Sequence, residues 1–242
     1  HGVEQCVVQV RGGGVGVAVH PGAHFGKVVE VVGRAGHQLF AGLADALAGV
    51  FRFVGDYRQA QAAGTGSSFT LAAGSYAANT VQVRTTEDLK LVDALVMPGG
   101  ESTTMSHLLS TSQLFDPIAE RIKDAMPVLG TCAGMILLAK SIADGRPDQR
   151  FYGAIDIDIQ RNAYGRQVES FETDLDIEGL ESPFHAMFIR APQAVRVGAD
   201  VEVLSRHEGK VVLARQGSVM VASFHPELTS DSRIHSLFLQ EV

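Results

Sequence analysis

Val128-Leu129-Gly130-Thr131-Cys132-Ala133-Gly134-Met135-Ile136-Leu137-Leu138 is the stretch that decides how the chain is read. Val128–Leu129 is a short apolar run that suits a buried strand, and Met135–Ile142 predicts an apolar helix. Between them lies a small-x-Cys-x-small turn, the pattern of a strand-to-helix elbow that lifts a nucleophile above the end of a sheet. Glycines flank the turn because so sharp a bend leaves no room for Cβ atoms. At the amino end of the helix the dipole favours thiolate over thiol, and the Ala133 N–H is placed to meet a developing oxyanion. Taken alone, the same turn also suits a structural cysteine buried between strand and helix.

Upstream, Ala94–Met97 (ALVM) reads as a second buried strand and ends in Pro98-Gly99-Gly100-Glu101-Ser102. A Gly-Gly turn at a strand's carboxyl end exposes backbone N–H groups, and Ser102 is expected to cap a helix running to about Leu109. The turn lacks the lysine and spacing of a P-loop. It suits a second oxyanion donor with a substrate clamp, or an ordinary turn and cap. Downstream, Ser218–Phe224 reads as a strand leading into His225-Pro226-Glu227. Proline fixes the backbone between imidazole and carboxylate, so both side chains can project from one strand end. A cysteine nucleophile needs a base held by an orienting group, and this tripeptide can supply both; an incidental surface turn has the same residues. His185, His207 and His235 lack such a neighbour and are expected to face solvent.

Further signals fill in the layers. Val81–Val83 reads as a strand, Thr86–Leu89 as a brief helix and Phe115–Asp124 as a longer one. Strand and helix alternate through this region, which calls for a parallel sheet with helices on its faces. The last third alternates differently: Asp156–Gln160, Glu169–Glu172, Met187–Arg190, Val201–Ser205 and Val211–Arg215 suggest, with Ser218–Phe224, an antiparallel meander closed by a helix from about Asp231 to Leu239. The fold class is α/β, a mostly parallel central sheet with an antiparallel extension.

Of the 242 residues 45% are hydrophobic and 19% charged, which excludes wholesale disorder. Lys and Arg number 20 against 27 Asp and Glu, and the net charge of -7 disfavours a nucleic-acid groove or an anionic membrane surface. Two cysteines, Cys6 and Cys132, cannot build a secreted-type disulfide framework, so a reducing, cytoplasmic setting is expected. No charge-free run of 18 apolar residues predicts a membrane span. The halves differ: residues 1–80 hold 15 of the 26 glycines and only 9 of the 47 charged residues. Residues 1–80 therefore read as an atypical Gly-rich segment and 81–242 as the main domain. Within the first segment Lys27–Val32 predicts a strand, His37–Val50 an amphipathic helix, and Ala60–Asn79 a linker.

In chain order, Pro98–Met105 (PGGESTTM), Gly130–Gly134 (GTCAG) and Phe224–Leu228 (FHPEL) resemble the class I glutamine amidotransferases. Arg161-Asn162, Gly165-Arg166-Gln167, Ser170-Phe171-Glu172 and Phe188-Ile189-Arg190-Ala191-Pro192, with Glu227-Leu228-Thr229, Arg233 and Phe238, are similar to one branch of them, the glutaminase subunits of pyridoxal 5'-phosphate synthase. The resemblance covers about Val81–Val242. It implies a three-layer, flavodoxin-like fold with Cys132 as nucleophile and His225 and Glu227 completing a triad. It also implies glutamine binding by Gly100, Glu101, Ser102, Arg161, Ile189 and Arg190, with Gly100 joining Ala133 in the oxyanion hole. The implied reaction is hydrolysis of the glutamine side-chain amide through a glutamyl thioester, with no cofactor or metal. Ammonia would pass to a separate, barrel-shaped synthase subunit that builds pyridoxal 5'-phosphate; no nucleic-acid or membrane partner is implied.

The amino-terminal third departs from that family. Its Leu-Gln-Gly turn is absent, and Lys27–Val50, with Arg34-Ala35-Gly36 at the turn, is the best counterpart of the family's first strand and helix. Residues 1–25 and 60–79 are expected to pack loosely and partner activation to be weak. A catalytically weak subunit that only docks the synthase is therefore an alternative. A glutaminase of another class I amidotransferase is a third reading, against which the Gly165–Gln167 and Phe188–Pro192 matches weigh.

Overall fold

The computed structural model describes residues 9–11, 14–16, 27–31, 69–73, 76–161, 170–240 and 242, with side chains from Gln82 onward. The helix expected over His37–Val50, the Arg34-Ala35-Gly36 turn, Cys6, Asn162 and Gly165-Arg166-Gln167 lie outside the described residues.

β1 (Gln9–Arg11) and β2 (Gly14–Gly16) pair with each other in antiparallel fashion. Eight strands make the central sheet: β3 (Lys27–Val31), β4 (Phe69–Ala73), β5 (Tyr76–Val83), β6 (Ala94–Met97), β7 (Val128–Thr131), β13 (Glu202–His207), β14 (Lys210–Gln216) and β15 (Val219–Ala222). Their order is β13-β14-β15-β7-β6-β3-β5-β4. The middle five, β15 to β5, run parallel, and β14 and β4 flank them antiparallel. The strand expected at 27–32 is thus present, paired between β5 and β6.

Alternation along the central strands builds two cores, one on each face. Leu95, Met97, Val128, Val219 and Val221 face one core, with Leu109, Ile118, Met135 and Leu137 from the covering helices. Ala94, Leu129, Met220 and Ala222 face the other, against Phe184, Phe188, Phe224 and Phe238. Among the described residues the helices are α1 (Thr86–Lys90), α2 (Ser102–Thr111), α3 (Phe115–Lys123), α4 (Ala133–Leu138) and α5 (Arg233–Leu239). α1 opens on a reciprocal Thr85–Asp88 capping box. Arg121 of α3 donates to the carbonyls of Leu89 and Val92 at 2.9 and 2.7 Å, tying α3 to the end of α1. Among the described residues no helix is long and apolar enough to cross a membrane.

Several sequence expectations need correction. The stretch 60–79 is not simply a linker, since β4 and the first residues of β5 lie within it. Its Ala- and Gly-rich composition gives little strand preference, and cross-strand pairing supplies what composition does not. The helix expected over Met135–Ile142 begins at Ala133 and stops at Leu138, and Ala139–Ile142 forms β8. Ala139 turns extended, at φ -60° and ψ 155°; an apolar run alone does not distinguish helix from strand. The strand before His225 belongs to the parallel core rather than only to a meander. The extension itself is split: β12 (Gln193–Val197), absent from the sequence reading, joins β9 (Ile155–Gln160) and β8 in a separate sheet, and β10 (Phe171–Leu175) pairs with β11 (Phe184–Phe188). Ile189 and Arg190 fall beyond β11, with Arg190 at φ 46°.

The tightest crossing lies where α4 passes β6. A Cβ at Gly134 would sit 2.0 Å from the Met97 carbonyl oxygen and 2.8 Å from its carbon. Both are backbone atoms, so relief needs the helix to move off the sheet. Gly134→Ala is expected to destabilise the fold by about 3 kcal/mol, the upper range for core overpacking, read as a lowered urea unfolding midpoint.

Candidate active site

β7 carries the chain to Cys132, whose N–H donates to Ala222 O at 2.8 Å and so extends the β7–β15 pairing past the strand end. There the backbone turns sharply, to φ 49° and ψ -102°. A positive φ is rare for a residue bearing a Cβ and marks stored local strain. The carbonyl of Cys132 accepts from Ile136 N in the first turn of α4, so the residue caps the helix as the elbow pattern required. The thiol is a buried free cysteine. Its Sγ lies 3.8 Å from the carbonyl oxygen of Ile189, toward which it donates.

His225 arrives from the neighbouring β15. Its N–H donates to Met187 O at 2.9 Å, which ties the end of β11, and hence the Ile189-Arg190 turn, to the same place. Pro226 opens a 3-10 turn, Pro226–Leu228, and this folds Glu227 back so that Oε1 stands 2.7 Å from His225 Nδ1. Both residues are buried. Burial opposes a charged imidazole, yet hydrogen bonding and charge from Cys132 and Glu227 outweigh it and push the His225 pKa up to about 10. Nε2 is buried and closes no hydrogen bond among the described residues. Cys132 therefore acts on the ring without ideal hydrogen-bond geometry, a looseness common in unliganded catalytic sites.

Gly99 completes the imidazole's seat. A Cβ there would come within 2.4 Å of His225 Cε1, so the Cε1 edge of the ring packs against bare backbone. Gly100 follows at φ +146°, in a region that favours glycine. Glu101, not Ser102, caps α2: its carboxylate accepts from Thr103 N at 3.0 Å and Thr104 N at 2.7 Å. Burial would raise the Glu101 pKa, but these hydrogen bonds and that from the Thr104 hydroxyl lower it. Ser102 is itself buried at the start of the helix.

Arg161, at the end of β9, reaches the same turn. Its Nη1 donates to Thr103 Oγ1 at 3.0 Å and to Gln149 Oε1 at 3.1 Å, and lies 3.9 Å from Glu101 Oε1. Its Nη2 donates to Asp144 O at 2.8 Å. The structure thus gathers Cys132, His225, Glu227, Gly99 and Ile189 at one point, and Glu101 and Arg161 at the helix start beside it. Thr103, Asp144 and Gln149 were missed by the sequence reading. They sit up to 58 residues from their partners, and only the fold brings them together. The other histidines divide. His185 is exposed between Asp174 and Glu172, and His207 stacks on Phe171. His235, expected in solvent, is buried, and burial lowers its pKa against the opposing charges of Glu227 and Asp231.

Residues 63–242 match the SNO glutamine amidotransferase family. The chain belongs to that family. It is 51% identical over 196 residues to a pyridoxal 5'-phosphate synthase subunit PdxT of Mycobacteroides abscessus, covering 81% of this chain and 97% of that one. A PdxT of Herpetosiphon aurantiacus is 55% identical over 163 residues, 66% of this chain and 86% of its own. A solved glutamine amidotransferase, 48% identical, superposes with a TM-score of 0.63 over 67% of this chain and 85% of that chain. PurLQS from Thermotoga maritima, at 13% identity, has a TM-score of 0.52 over 89% of this chain and 98% of its own, a likeness of fold alone.

The Gly99 seat gives the candidate site a sharp steric test. Gly99→Ala is expected to displace the imidazole and lower kcat for glutamine by roughly a hundredfold, the order of a lost general base. The far-UV circular dichroism should stay unchanged, because the clash meets a side chain and no structural backbone.

Proposed function

We propose that this chain is the glutaminase subunit of pyridoxal 5'-phosphate synthase, releasing ammonia from the side-chain amide of L-glutamine for a partner synthase subunit. The observation that carries the reading is the strained Cys132 at the β7–α4 elbow, facing the buried His225–Glu227 pair. That arrangement supports the following chemistry. The Cys132 thiolate attacks the amide carbon, and the oxygen takes up negative charge. N–H groups of Ala133 and Gly100 stabilise that charge, one from the start of α4 and one from the Gly-Gly turn. His225, charged because Glu227 and Cys132 favour the imidazolium, gives its proton to the leaving nitrogen, and ammonia departs. The glutamyl thioester that remains is attacked by water, whose proton His225 takes, and glutamate leaves with the thiol restored.

Gly100, Glu101, Ser102, Arg161, Ile189 and Arg190 are assigned to glutamine. Glu101 shapes its turn through the helix cap, and Arg161 offers a guanidinium suited to an amino-acid carboxylate. The receiving subunit is a barrel enzyme, and both work in the cytoplasm, where a free catalytic thiol survives. A second, related reading draws on the open hydrogen bond at Nε2: the free subunit is weak, and docking on the synthase completes the site, a form of induced fit.

Cys132→Ala is expected to lower ammonia release by roughly a thousandfold or more, as loss of a triad nucleophile does, with the unfolding midpoint unchanged. Ammonia measured with and without the synthase subunit separates the two readings: a large rise on addition supports completion by docking. The carboxylate of Glu227 raises the His225 pKa, so Glu227→Gln must lower it. The imidazolium then deprotonates at lower pH, and the alkaline limb of the kcat profile, set by a group near 10 in the parent, should move toward neutrality. An alkaline limb that stays in place would separate Glu227 from the proton donor.

A further inference from the structure

We propose that Gln149 is a positioning residue of the glutamine site, fixing the Arg161 guanidinium against the first turn of α2. The proposal rests on the glutaminase reading above and adds a residue to it. Gln149 comes from the loop between β8 and β9, and only 6% of it is exposed. Its Oε1 accepts from Arg161 Nη1 at 3.1 Å and from Thr103 Oγ1 at 3.4 Å, while Thr103 Oγ1 accepts from the same Nη1 at 3.0 Å. These three contacts close a ring. The ring also fixes which way the amide faces, since turning it over would set one donor against another.

The opposite edge of the guanidinium is held as well. Nη2 donates to Asp144 O at 2.8 Å, and the Arg161 backbone N–H donates to Asp144 Oδ1 at 2.8 Å. A planar fork gripped on two edges has its plane set, and one of the two Nη2 protons is left over from the Asp144 contact to meet a carboxylate. The loop bearing Gln149 is itself anchored: the Arg150 N–H donates at 2.8 Å to the hydroxyl of Ser106 in α2, which is 2% exposed.

Space filling does not account for an amide at this position. Gln149 Nε2 is sealed from solvent and closes no hydrogen bond among the described residues. A methionine would fill similar volume without burying an unsatisfied donor, which is costly. What methionine lacks is the acceptor that meets Nη1.

The test is steady-state glutamine hydrolysis by the complex with the synthase subunit. Gln149→Met is expected to raise KM by about tenfold, the order of one lost hydrogen bond to a charged group, with kcat held within about twofold. Gln149→Glu keeps an acceptor facing Nη1 and Thr103 and should hold KM near the parent value. In an Arg161→Ala background Gln149→Met should raise KM no further, because it acts through a group already removed. A Gln149→Met KM within about twofold of the parent overturns the proposal, as do effects of Gln149→Met and Arg161→Ala that multiply. If Gln149→Met does not fold, Thr103→Val breaks the same ring from α2 and must raise KM likewise; an unchanged KM there is equally fatal. Should the parent release no ammonia, the glutaminase reading fails separately, and the glutamine Kd by calorimetry, expected to weaken about tenfold in Gln149→Met, still decides the role of Gln149.

Discussion

The carbonyl oxygen of Met97 governs how closely α4 can approach the end of β6, and through that approach it sets the height of Cys132 above the sheet. With a Cβ at position 134 only 2.0 Å from that oxygen, helix and strand could not cross where they do. Moving α4 outward would shift the Ala133 N–H with it. It would also lift the elbow away from β15, breaking the Cys132 N–H to Ala222 bond that continues the parallel pairing. The positive φ of Cys132 is sustained because backbone pairing on one side and the helix on the other over-determine it. The positions of the Cys132 thiol and the Ala133 N–H are consequences of one packing distance.

The same sheet end brings the imidazole into contact with the turn after β6. β15 and β6 flank β7, so His225 and Gly99 reach the elbow from its two neighbours. Sequence separation between the three motifs is large, yet the parallel order β15-β7-β6 places all three strand ends side by side. This is the general advantage of a parallel sheet: every carboxyl end opens on the same edge. Burial there works against a charged histidine, and a site built only from apolar walls would hold the ring neutral. Cys132 and Glu227, the latter two residues on and folded back by the Pro226 turn, together reverse that balance, as the rise of the His225 pKa to about 10 registers.

How much of this was legible in the sequence follows from which interactions are local. The elbow, the Gly-Gly turn and His-Pro-Glu are each contiguous, and the strand-to-helix path of the elbow and the His225–Glu227 pairing were legible in their own residues. The helix cap at Glu101 instead of Ser102 was a near miss, because both residue types accept hydrogen bonds and only the backbone path chooses between them. The end of α4 was not legible: Leu138 and Ala139 are equally buried, and what stops the helix is the parallel partner β9. β4 and the first residues of β5 escaped for the same reason, since an Ala-rich strand is specified by its neighbours and hardly by its own side chains, while the Val81–Val83 end of β5 was read as a strand. His235 was misplaced in solvent because nothing local shows that α5 turns that face toward the core.

Long-range contacts also explain why the Glu101–Arg161 side of the site was read only in part. Its elements come from two sheets. Glu101 and Thr103 begin α2, which covers the central sheet, while Arg161 ends β9 of the smaller β8-β9-β12 sheet. The two sheets share one apolar core, where Ile155, Ile157 and Ile159 of β9 pack with Val211, Ala214 and Val219 of the central sheet, and polar side chains add to that alignment. Arg161 is one polar crossing group, gripped by Thr103 from the first sheet's helix and by Asp144 from the second sheet's own loop. The loop that carries Gln149 is bound to both bodies, to Arg161 through its amide oxygen and to α2 through the Arg150–Ser106 bond. A substrate lying between the two sheets would therefore meet a guanidinium whose direction is set by the seam itself. An error of register there would cost affinity for the substrate before it disturbed the thiol, the imidazole or the elbow that holds them.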